Sequence, residues 1–423
     1  MKWSIAAIAG LLAPSAFGAA VADKKITYNG YKAYRISTHH DDAVIKAKLA
    51  PLSPVTFNLD TSEHLDVAIP PSEVAKFKAL GLDATVLHED LGADIAKEAA
   101  FGTYDLTAQA VPSLTWFNTY HAYADHVTFF SDLRAAYPNN SELINAGTSV
   151  QGRSLFGIHL WGSGGKGSKP AVYFHGSVHA REWITSKVVE YITYQLLVQY
   201  STDTVVKTIL DKYDFYIIPF VNPDGFVYTQ TTNRLWRKNR QTRSGSSCVG
   251  TDINRNWPYK WELTNGASTN PCDETYKGVA AGDTPENQGL VAFTQSLKNS
   301  KGIKLYIDWH SYGQYILLPY GYNCAARAAN HARQTTLAQG TAARIKLSYG
   351  TTFTYGPSCS TLYATTGSSV DYITDVALAE FAWTIELRPS GSQGTSGFVL
   401  PAAQILPSAI EQWEGIKYLL TNA

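Results

Sequence analysis

Segments typical of β-strands alternate with segments typical of α-helices from about residue 113 onward, and this alternation restricts the fold more than any other feature. The strand candidates are "SLFGIHLW", "PAVYFHG", "YDFYIIPFV", "KLYIDWH" and "EFAWTIEL". The helix candidates between them include "TSKVVEYITYQLLVQY" and "ENQGLVAFTQSLKN". This order predicts an α/β fold in which a mixed central β-sheet is flanked by helices. A final helix is expected in "PSAIEQWEGIKYLL", where Ser408 and Glu411 have the spacing of a capping box.

Residues from about 23 to 107 differ from the rest of the chain, because they contain no cysteine and no tryptophan. "YKAYRIS" and "VTFNL" are typical of strands, and "PPSEVAKFKALG" is typical of a helix that Ser72 caps and Gly81 ends. The stretch "FGTYDLTAQAVPS" is small, polar and without periodicity, as expected of a linker. A small α+β module followed by an exposed connector predicts a propeptide. An ordinary second domain that stays attached fits the same composition.

The first twenty residues have the pattern of a secretory signal peptide. Lys2 precedes a short apolar run, and small residues follow from Ala16 to Ala20. The alternative is a membrane anchor, which the pattern disfavours. The run is too short to cross about 30 Å of hydrocarbon, and Pro14 interrupts it. The chain is therefore predicted to be secreted and extracellular, with a vacuolar or lysosomal-type compartment as the alternative.

The charge balance gives no indication of a nucleic-acid or membrane partner, because 35 Lys and Arg residues balance 35 Asp and Glu residues. Export would permit disulfides, and the even number of cysteines fits two bridges with three possible connectivities. None of the cysteines has the CxxC spacing, which disfavours a zinc–thiolate site. The four are Cys248, Cys272, Cys324 and Cys359.

The apolar run "AVYF" is followed directly by "HGSVHAREW", which is rich in ionisable side chains. His179 and Glu182 are three residues apart and could share one zinc ion, which accepts imidazole and carboxylate ligands at about 2.0–2.2 Å. A catalytic zinc needs a third protein ligand. Sites in open α/β sheets form at the carboxyl ends of strands, where "KLYIDWHSYGQ" offers His310. Glu386 in "EFAWTIELR" is a candidate general base, and a structural ion pair with Arg388 is the alternative.

These motifs occur in a fixed order with several others: "HAREW", "NPDGF", "WRKNR", "DINRNW", "DWHSYGQ", "LYATTGSSVDY" and "IELR". In this respect the chain from about residue 113 to its end resembles the secreted zinc carboxypeptidases of the A/B type. The resemblance implies the zinc carboxypeptidase fold for this region. It also implies that the N-terminal module is a small ferredoxin-like prodomain that covers the cleft of a zymogen.

The resemblance implies one Zn²⁺ per catalytic domain. His179, Glu182 and His310 match the zinc ligands of the family. Asp252 stands where a carboxylate would orient His179.

The resemblance also assigns the chemistry. Glu386 matches the general base that acts on zinc-activated water, and Arg237 matches the arginine that polarises the scissile carbonyl and stabilises the oxyanion. Asn254 and Arg255 match the pair that binds the terminal carboxylate of the substrate. Tyr363 matches the mobile tyrosine that closes over it. A guanidinium group suits the recognition of a free carboxylate, because it can donate two hydrogen bonds at once.

Substrate preference in the family depends on the floor of the specificity pocket, seven residues after the mobile tyrosine. That position is Val370, which implies release of apolar or aromatic C-terminal residues. An aspartate would imply Lys or Arg, and Asp371 is the next residue. A wall position that is often aliphatic is Ser358, which could make the pocket roomier or more polar. Arg181 matches a residue that contacts substrate in a further subsite.

The resemblance pairs Cys248 with Cys272 and Cys324 with Cys359. After "IELR" the chain reads "PSGSQGTSGF", about three residues longer than the pattern of the family, so the outer subsites are expected to differ. The connector near residues 97 to 112 has no dibasic site, and Lys97 is its only basic residue.

The sequence thus predicts a secreted zinc metallocarboxypeptidase made as a zymogen. It divides into a signal peptide (1–20), an activation prodomain with linker (21–112) and a catalytic domain (113–423). The expected partners are peptide or protein C-termini, the chain's own prodomain and an activating protease, with no nucleic acid and no membrane, and the protein is expected to be a monomer. The alternatives are the same enzyme class with a preference for basic C-terminal residues, and a non-catalytic binding protein on the same fold.

Overall fold

The computed structural model describes residues 24–39, 41–59, 61–104, 111–390 and 397–423. The predicted signal peptide lies outside the described residues. Within them, no helix has the length and apolarity needed to cross a membrane.

The described part of the N-terminal module contains four strands and three α-helices. Its elements are β1 (Lys32–Ser37), α1 (Asp42–Leu49), β2 (Val55–Thr56), β3 (His64–Ile69), α2 (Val74–Ala79), β4 (Ala84–His88) and α3 (Leu91–Glu98). The strands form an antiparallel sheet in the order β2-β3-β1-β4. The chain order βαββαβ with this strand order is ferredoxin-like, which confirms the predicted α+β fold of the module.

The larger body contains one eight-stranded sheet in the order β11-β10-β12-β9-β7-β8-β6-β5. Strands β12, β9, β7 and β8 are parallel neighbours at its centre, whereas β5, β6 and β10 introduce antiparallel pairs. The predicted mixed central sheet is confirmed. The strands are β5 (Ser141–Thr148), β6 (Ser154–Leu160), β7 (Ala171–His175), β8 (Asp214–Ile218), β9 (Ile303–Ser311), β10 (Tyr315–Leu318), β11 (Thr354–Pro357) and β12 (Phe381–Leu387).

Helices cover both faces of this sheet. The larger core cluster lies between the sheet and α4, α5, α6, α9 and α12, and a second cluster packs α8 and α11 against the opposite face. The helices are α4 (Tyr123–Ala136), α5 (Ile184–Gln199), α6 (Thr204–Lys212), α7 (Pro223–Thr231), α8 (Pro285–Ser300), α9 (His331–Tyr349), α10 (Ser358–Thr361), α11 (Ser369–Asp375) and α12 (Ile405–Asn422).

The predicted start of the last helix is wrong. Helix α12 begins at Ile405, and Ser408 is buried inside it with no hydrogen bond to its hydroxyl among the described residues. Glu411 does not cap the helix, because its carboxylate accepts a hydrogen bond of 2.8 Å from Nε of Arg388. A buried ion pair with Arg388, the residue after β12, has replaced the local capping interaction.

Two disulfides hold loops of the larger body. Cys248 is bonded to Cys272 with 5.1 Å between the Cα atoms, and Cys324 is bonded to Cys359 with 4.7 Å between them. These are the pairings that the resemblance implied.

Two buried carboxylates hold the turn between β5 and β6. Asp224 accepts hydrogen bonds from the Ser149 hydroxyl and the Gln151 amide, both at 2.7 Å, and Glu286 accepts one from the Val150 amide at 3.1 Å. Burial raises the pKa of Glu286 to about 7. Because the pKa is higher in the folded than in the unfolded protein, the protonated Glu286 stabilises the folded state. This contribution is complete below the ordinary pKa near 4.5 and is lost as pH rises through 7.

Glu286→Gln is therefore expected to be less stable than the parent at pH 5 and to recover relative to it by roughly 2.5 kcal/mol by pH 8. The glutamine loses one acceptor for Asn239 but never carries the buried charge. Thermal unfolding at the two pH values measures the difference. Glu380→Gln is the control, because the Glu380 side chain is 53% exposed. An equal gap at both pH values would contradict the prediction.

Candidate active site

Three parallel strands bring the predicted site residues to one edge of the sheet. His179 and Glu182 lie in the turn after β7, His310 lies near the carboxyl end of β9, and Glu386 lies near the carboxyl end of β12. Glu386 and His310 are direct partners in the β12–β9 ladder. Side chains alternate along a strand, so both point away from the face on which the neighbouring Trp309 and Ile385 are buried.

The side chains of His179, Glu182 and His310 form a group in which the possible ligand atoms all lie within 4.8 Å of one another. His179 Nδ1 is 2.8 Å from Glu182 Oε1 and 3.0 Å from His310 Nδ1, and His310 Nδ1 is 3.2 Å from Glu182 Oε2. Ligand atoms 2.0–2.1 Å from a tetrahedral zinc lie roughly 3.3–3.4 Å apart. The two nitrogens and the carboxylate therefore fit a zinc ion with little rearrangement.

The other ring nitrogen of each histidine faces a buried carboxylate. His179 Nε2 is 3.3 Å from Asp252 Oδ1, and His310 Nε2 is 3.1 Å from Asp308 Oδ2. Such partners fix the tautomer and orientation of histidine ligands. Asp252 stands where the sequence predicted it. Asp308 was missed, although its position two residues before His310 on a strand could have indicated that both side chains share a face.

Neighbouring charges shift the pKa values of this ligand group. Burial would raise the pKa of Glu182, but the two histidines lower it further than burial raises it. Burial would lower the pKa of His310, but Asp308 and Glu182 raise it well above its usual value. The carboxylates of Glu182, Asp252 and Asp308 thus lie against the two imidazoles, while Arg237 and Arg255 lie within 4.0 Å of Asp252.

Glu386 faces the cavity beside this group. Among the described residues its carboxylate has no hydrogen-bond or ion-pair partner. The alternative of a structural pair with Arg388 is wrong, since Arg388 binds Glu411 and Gln404 instead. Burial raises the pKa of Glu386, so its carboxyl group holds a proton more readily than an exposed glutamate. A raised pKa of this kind suits a group that accepts and returns a proton near neutral pH.

Three further predicted residues line the same cavity. Arg237 Nη2 donates to Asp252 Oδ2 at 2.9 Å, which fixes its guanidinium and raises its pKa despite burial. Asn254 Oδ1 accepts from the Ser369 amide at 2.8 Å, and Arg255 Nε donates to the Gly266 carbonyl at 2.8 Å. The site thus presents two buried guanidinium groups and an amide opposite Glu386.

The cavity has a volume of about 420 Å³ and includes Tyr363 and Val370. The Tyr363 side chain is half-buried, and among the described residues its hydroxyl has no hydrogen-bond partner. Asp371 also lines the cavity, but its carboxylate accepts hydrogen bonds of 3.0 and 3.1 Å from the amides of Gly321 and Tyr322. The backbone of that loop therefore satisfies Asp371.

Arg181 does not face open solvent in this structure. Its Nη2 donates to the carbonyl of Phe57 in the N-terminal module at 3.0 Å, and its guanidinium lies 4.1 Å from the ring centroid of Phe398. Tyr312, on the same side of the cavity, donates to Asp66 of the module at 2.6 Å. No pattern in the sequence indicates the contacts of Tyr312 and Phe398, because both residues meet a distant part of the chain.

The model of the zinc carboxypeptidase family matches residues 126–415, which is more than half of the chain. The chain belongs to the zinc carboxypeptidase family. It is accordingly a metallocarboxypeptidase, a zinc-dependent hydrolase of peptides, and the resemblance noted in the sequence is confirmed.

Similar proteins cover nearly the whole chain. A metallocarboxypeptidase A-like protein of Trichophyton verrucosum is 44% identical over 417 residues, 96% of this chain and 97% of that protein. Metallocarboxypeptidase A of Trichophyton rubrum is 42% identical over 415 residues, 97% of each. The crystal structure of thrombin activatable fibrinolysis inhibitor is 26% identical and matches with a TM-score of 0.84 over 93% of this chain and 98% of that one. The zinc carboxypeptidase fold predicted from the sequence is thereby confirmed.

Proposed function

We propose that the protein is a secreted carboxypeptidase, made as a zymogen, that releases apolar or aromatic residues from the C-termini of peptides. One observation carries the proposal: the His179, Glu182 and His310 ligand atoms meet beside Glu386 in a cavity that also holds Arg255. A set of metal ligands, a base and a buried guanidinium group within one cavity suit the hydrolysis of the peptide bond next to a free terminal carboxylate. The described residues contain one such ligand group, so we propose one zinc ion per catalytic domain.

A zinc ion held by these ligands would polarise a carbonyl and lower the pKa of bound water toward about 7. Glu386 would accept the proton of the attacking water and deliver it to the leaving amine. Arg237, fixed by Asp252, would donate hydrogen bonds to the oxyanion that forms from the scissile carbonyl. Asn254 and Arg255 would bind the terminal carboxylate and so place the last peptide bond beside Glu386. Closure of Tyr363 would exclude water.

The preference for apolar residues rests on Val370 and Leu317, which line the cavity together. The neighbouring Asp371 is a poor partner for a basic side chain, because backbone amides already bind its oxygens. Burial also raises the pKa of Asp371 to about 7, which reduces its negative charge near neutral pH.

The zymogen proposal rests on the contacts of the N-terminal module. Phe57, Asn58 and Leu59 line the cavity that contains the ligand group. Arg181 donates a hydrogen bond to the Phe57 carbonyl, and Tyr312 donates one to Asp66. Two side chains at the cavity wall are therefore bound to the module rather than to substrate. We propose residues 21–112 as the prodomain and linker, 113–423 as the catalytic domain, and an activating protease that cuts between them.

Glu98→Gln is expected to weaken the inhibition. Glu98 and Arg234 form a buried pair between the module and the larger body, with 2.8 Å between Glu98 Oε1 and Arg234 Nη2. Removing one member of a buried pair leaves an uncompensated charge and costs about 3–5 kcal/mol. Since 1.4 kcal/mol corresponds to a factor of ten, this cost shifts the docking of the module by roughly 10²–10³-fold, and the uncut variant should hydrolyse peptides at least about tenfold faster than the uncut parent.

The control for this experiment is Glu89→Gln, because the Glu89 side chain is 72% exposed and belongs to the same module. Activity of both uncut variants is compared with activity after the connector has been cut. If uncut Glu98→Gln were as inactive as uncut Glu89→Gln, the buried pair would have no part in inhibition. If the uncut and cut parent were equally active, the zymogen proposal would fail.

The test of the whole proposal is release of C-terminal Phe, Leu, Lys and Glu from blocked dipeptides by the processed enzyme, with and without a chelator. We expect Phe and Leu to be released, activity to disappear with the chelator, and added zinc to restore it. Full activity without metal would refute the zinc mechanism. Preferred release of Lys would refute the assignment of Val370 and favour the basic specificity.

A further inference from the structure

Ser358, Thr365 and Thr384 are three of the hydroxyl-bearing residues that line the cavity together with Val370. They belong to three different segments, and each segment adjoins the stretch from Leu317 to Gly321. Thr384 is opposite Leu317 in the β10–β12 ladder. Ser358 follows Pro357, the partner of Leu318 in the β10–β11 ladder. The Thr365 amide donates to the Gly321 carbonyl at 2.9 Å.

Gly321 makes room for one of these hydroxyls. A Cβ atom at this position would lie 2.0 Å from Thr365 Oγ1, which is far inside van der Waals contact. The hydroxyl oxygen of Thr365 thus occupies the space that any other residue at position 321 would fill. The close approach fixes one polar atom in the cavity wall.

The three hydroxyls are also without partners. Over the described ranges, none of them makes a hydrogen bond within the protein, although all three side chains are half-buried. Each hydroxyl offers one donor and two acceptor positions. They can therefore bond to water or to a group that enters the cavity. By contrast, Asp371 in the same cavity is satisfied by backbone amides.

We propose that Ser358, Thr365 and Thr384 select C-terminal side chains with an apolar body and a polar tip, and that tyrosine is preferred to phenylalanine. This inference rests on the proposed carboxypeptidase function and specifies its substrate class. Leu317 and Val370 supply apolar surface for an aromatic ring. The phenol at the end of a tyrosine ring can form a hydrogen bond with one of these hydroxyls and so takes the place of the water that it displaces.

Phenylalanine fills the same space but leaves the hydroxyls without a partner. A site that forms a hydrogen bond with a substrate hydroxyl discriminates against the analogue without that hydroxyl, because the polar groups of the site then stay unpaired. The three side chains here are half-buried rather than sealed, so the discrimination corresponds to one ordinary hydrogen bond. We expect kcat/KM for tyrosine to exceed that for phenylalanine by roughly five- to tenfold.

The test compares two blocked dipeptides that differ only in a C-terminal Phe or Tyr, with the processed enzyme containing zinc. Thr365→Val, Thr384→Val and Ser358→Ala each remove a hydroxyl with little change of volume, and a triple variant removes all three. The triple variant should lower the Tyr/Phe ratio to about one. Thr361→Val is the matched control, because Thr361 lies in the same segment but does not line the cavity.

The outcomes separate this inference from the proposal beneath it. Hydrolysis of neither peptide would refute the carboxypeptidase specificity itself. Hydrolysis of both with a parental ratio of one or less would refute only the role of the hydroxyls. An unchanged ratio in the triple variant, with a folded enzyme by circular dichroism, would do the same. A ratio that falls equally in Thr361→Val would show a general effect on the segment and would also overturn the inference.

Discussion

Replacement of Glu386 by glutamine is expected to reduce kcat by about 10³-fold, with little change in KM. General acid–base catalysis contributes about 10²–10⁴-fold to rate, and Glu386 is proposed to act both as base and as acid in one cycle. Glutamine has nearly the same shape but can neither accept nor return the proton. The Glu386 carboxylate has no partner among the described residues, so the substitution should leave the fold intact. Steady-state kinetics on a blocked dipeptide ending in Phe measure the loss.

The zinc content of Glu386→Gln should equal that of the parent, because Glu386 is outside the group formed by His179, Glu182 and His310. Glu380→Gln, an exposed change just before the same strand, should keep parental kcat. A Glu386→Gln enzyme with zinc bound and normal turnover would disprove the assignment. Loss of zinc together with activity would instead indicate that Glu386 helps to build the metal site.

The second large effect is expected from Arg237→Gln, which should lower kcat by about 10²–10³-fold. Loss of one donor to a developing oxyanion typically has this cost. The substitution also leaves Asp252 without its closest cation, which is 2.9 Å away in the parent. We therefore expect a lower unfolding temperature as well, and the kinetic loss is measured well below that temperature.

A split between kcat and KM identifies the role of Arg237. A donor that acts on the oxyanion lowers kcat, whereas a residue that only binds substrate raises KM. Arg240→Gln is the control, since Arg240 stacks on Tyr228 with 3.6 Å to the ring centroid and does not line the cavity. If Arg237→Gln raised KM and left kcat unchanged, Arg237 would be assigned to binding the substrate in its ground state and not to stabilising the oxyanion.

The sequence predicted those features that depend on local pattern. Apolar runs such as "AVYF" and "FAWTIEL" are buried on both faces, so their composition alone indicated central strands. The parallel order of such strands brings their carboxyl ends together, which explains why His179, His310 and Glu386 were found together. The short outer strands β10 and β11 have weaker patterns and were not predicted.

Features that depend on distant contacts could not be predicted. Ser408 and Glu411 have the local spacing of a capping box, but Glu411 gains more from the buried guanidinium of Arg388 across the fold. Arg181 was expected to bind substrate, yet the structure places it against Phe57 of the module. Neither pairing has a signal in the sequence, because each joins segments far apart in the chain.

The contacts of the N-terminal module have a consequence for the rate of encounter with substrate. In the intact chain Arg234 is neutralised by Glu98, and Arg181 is covered by Phe57 and Phe398. Departure of the module would remove the Glu98 carboxylate from Arg234 and the Phe57 carbonyl from Arg181, whereas Glu274 and Phe398 would stay beside Arg181. A positive cleft attracts anions over distances of about a Debye length, roughly 8–10 Å in physiological salt. If the module is removed, the enzyme should capture acidic peptides faster than the intact chain does, and this advantage should fade as salt is added.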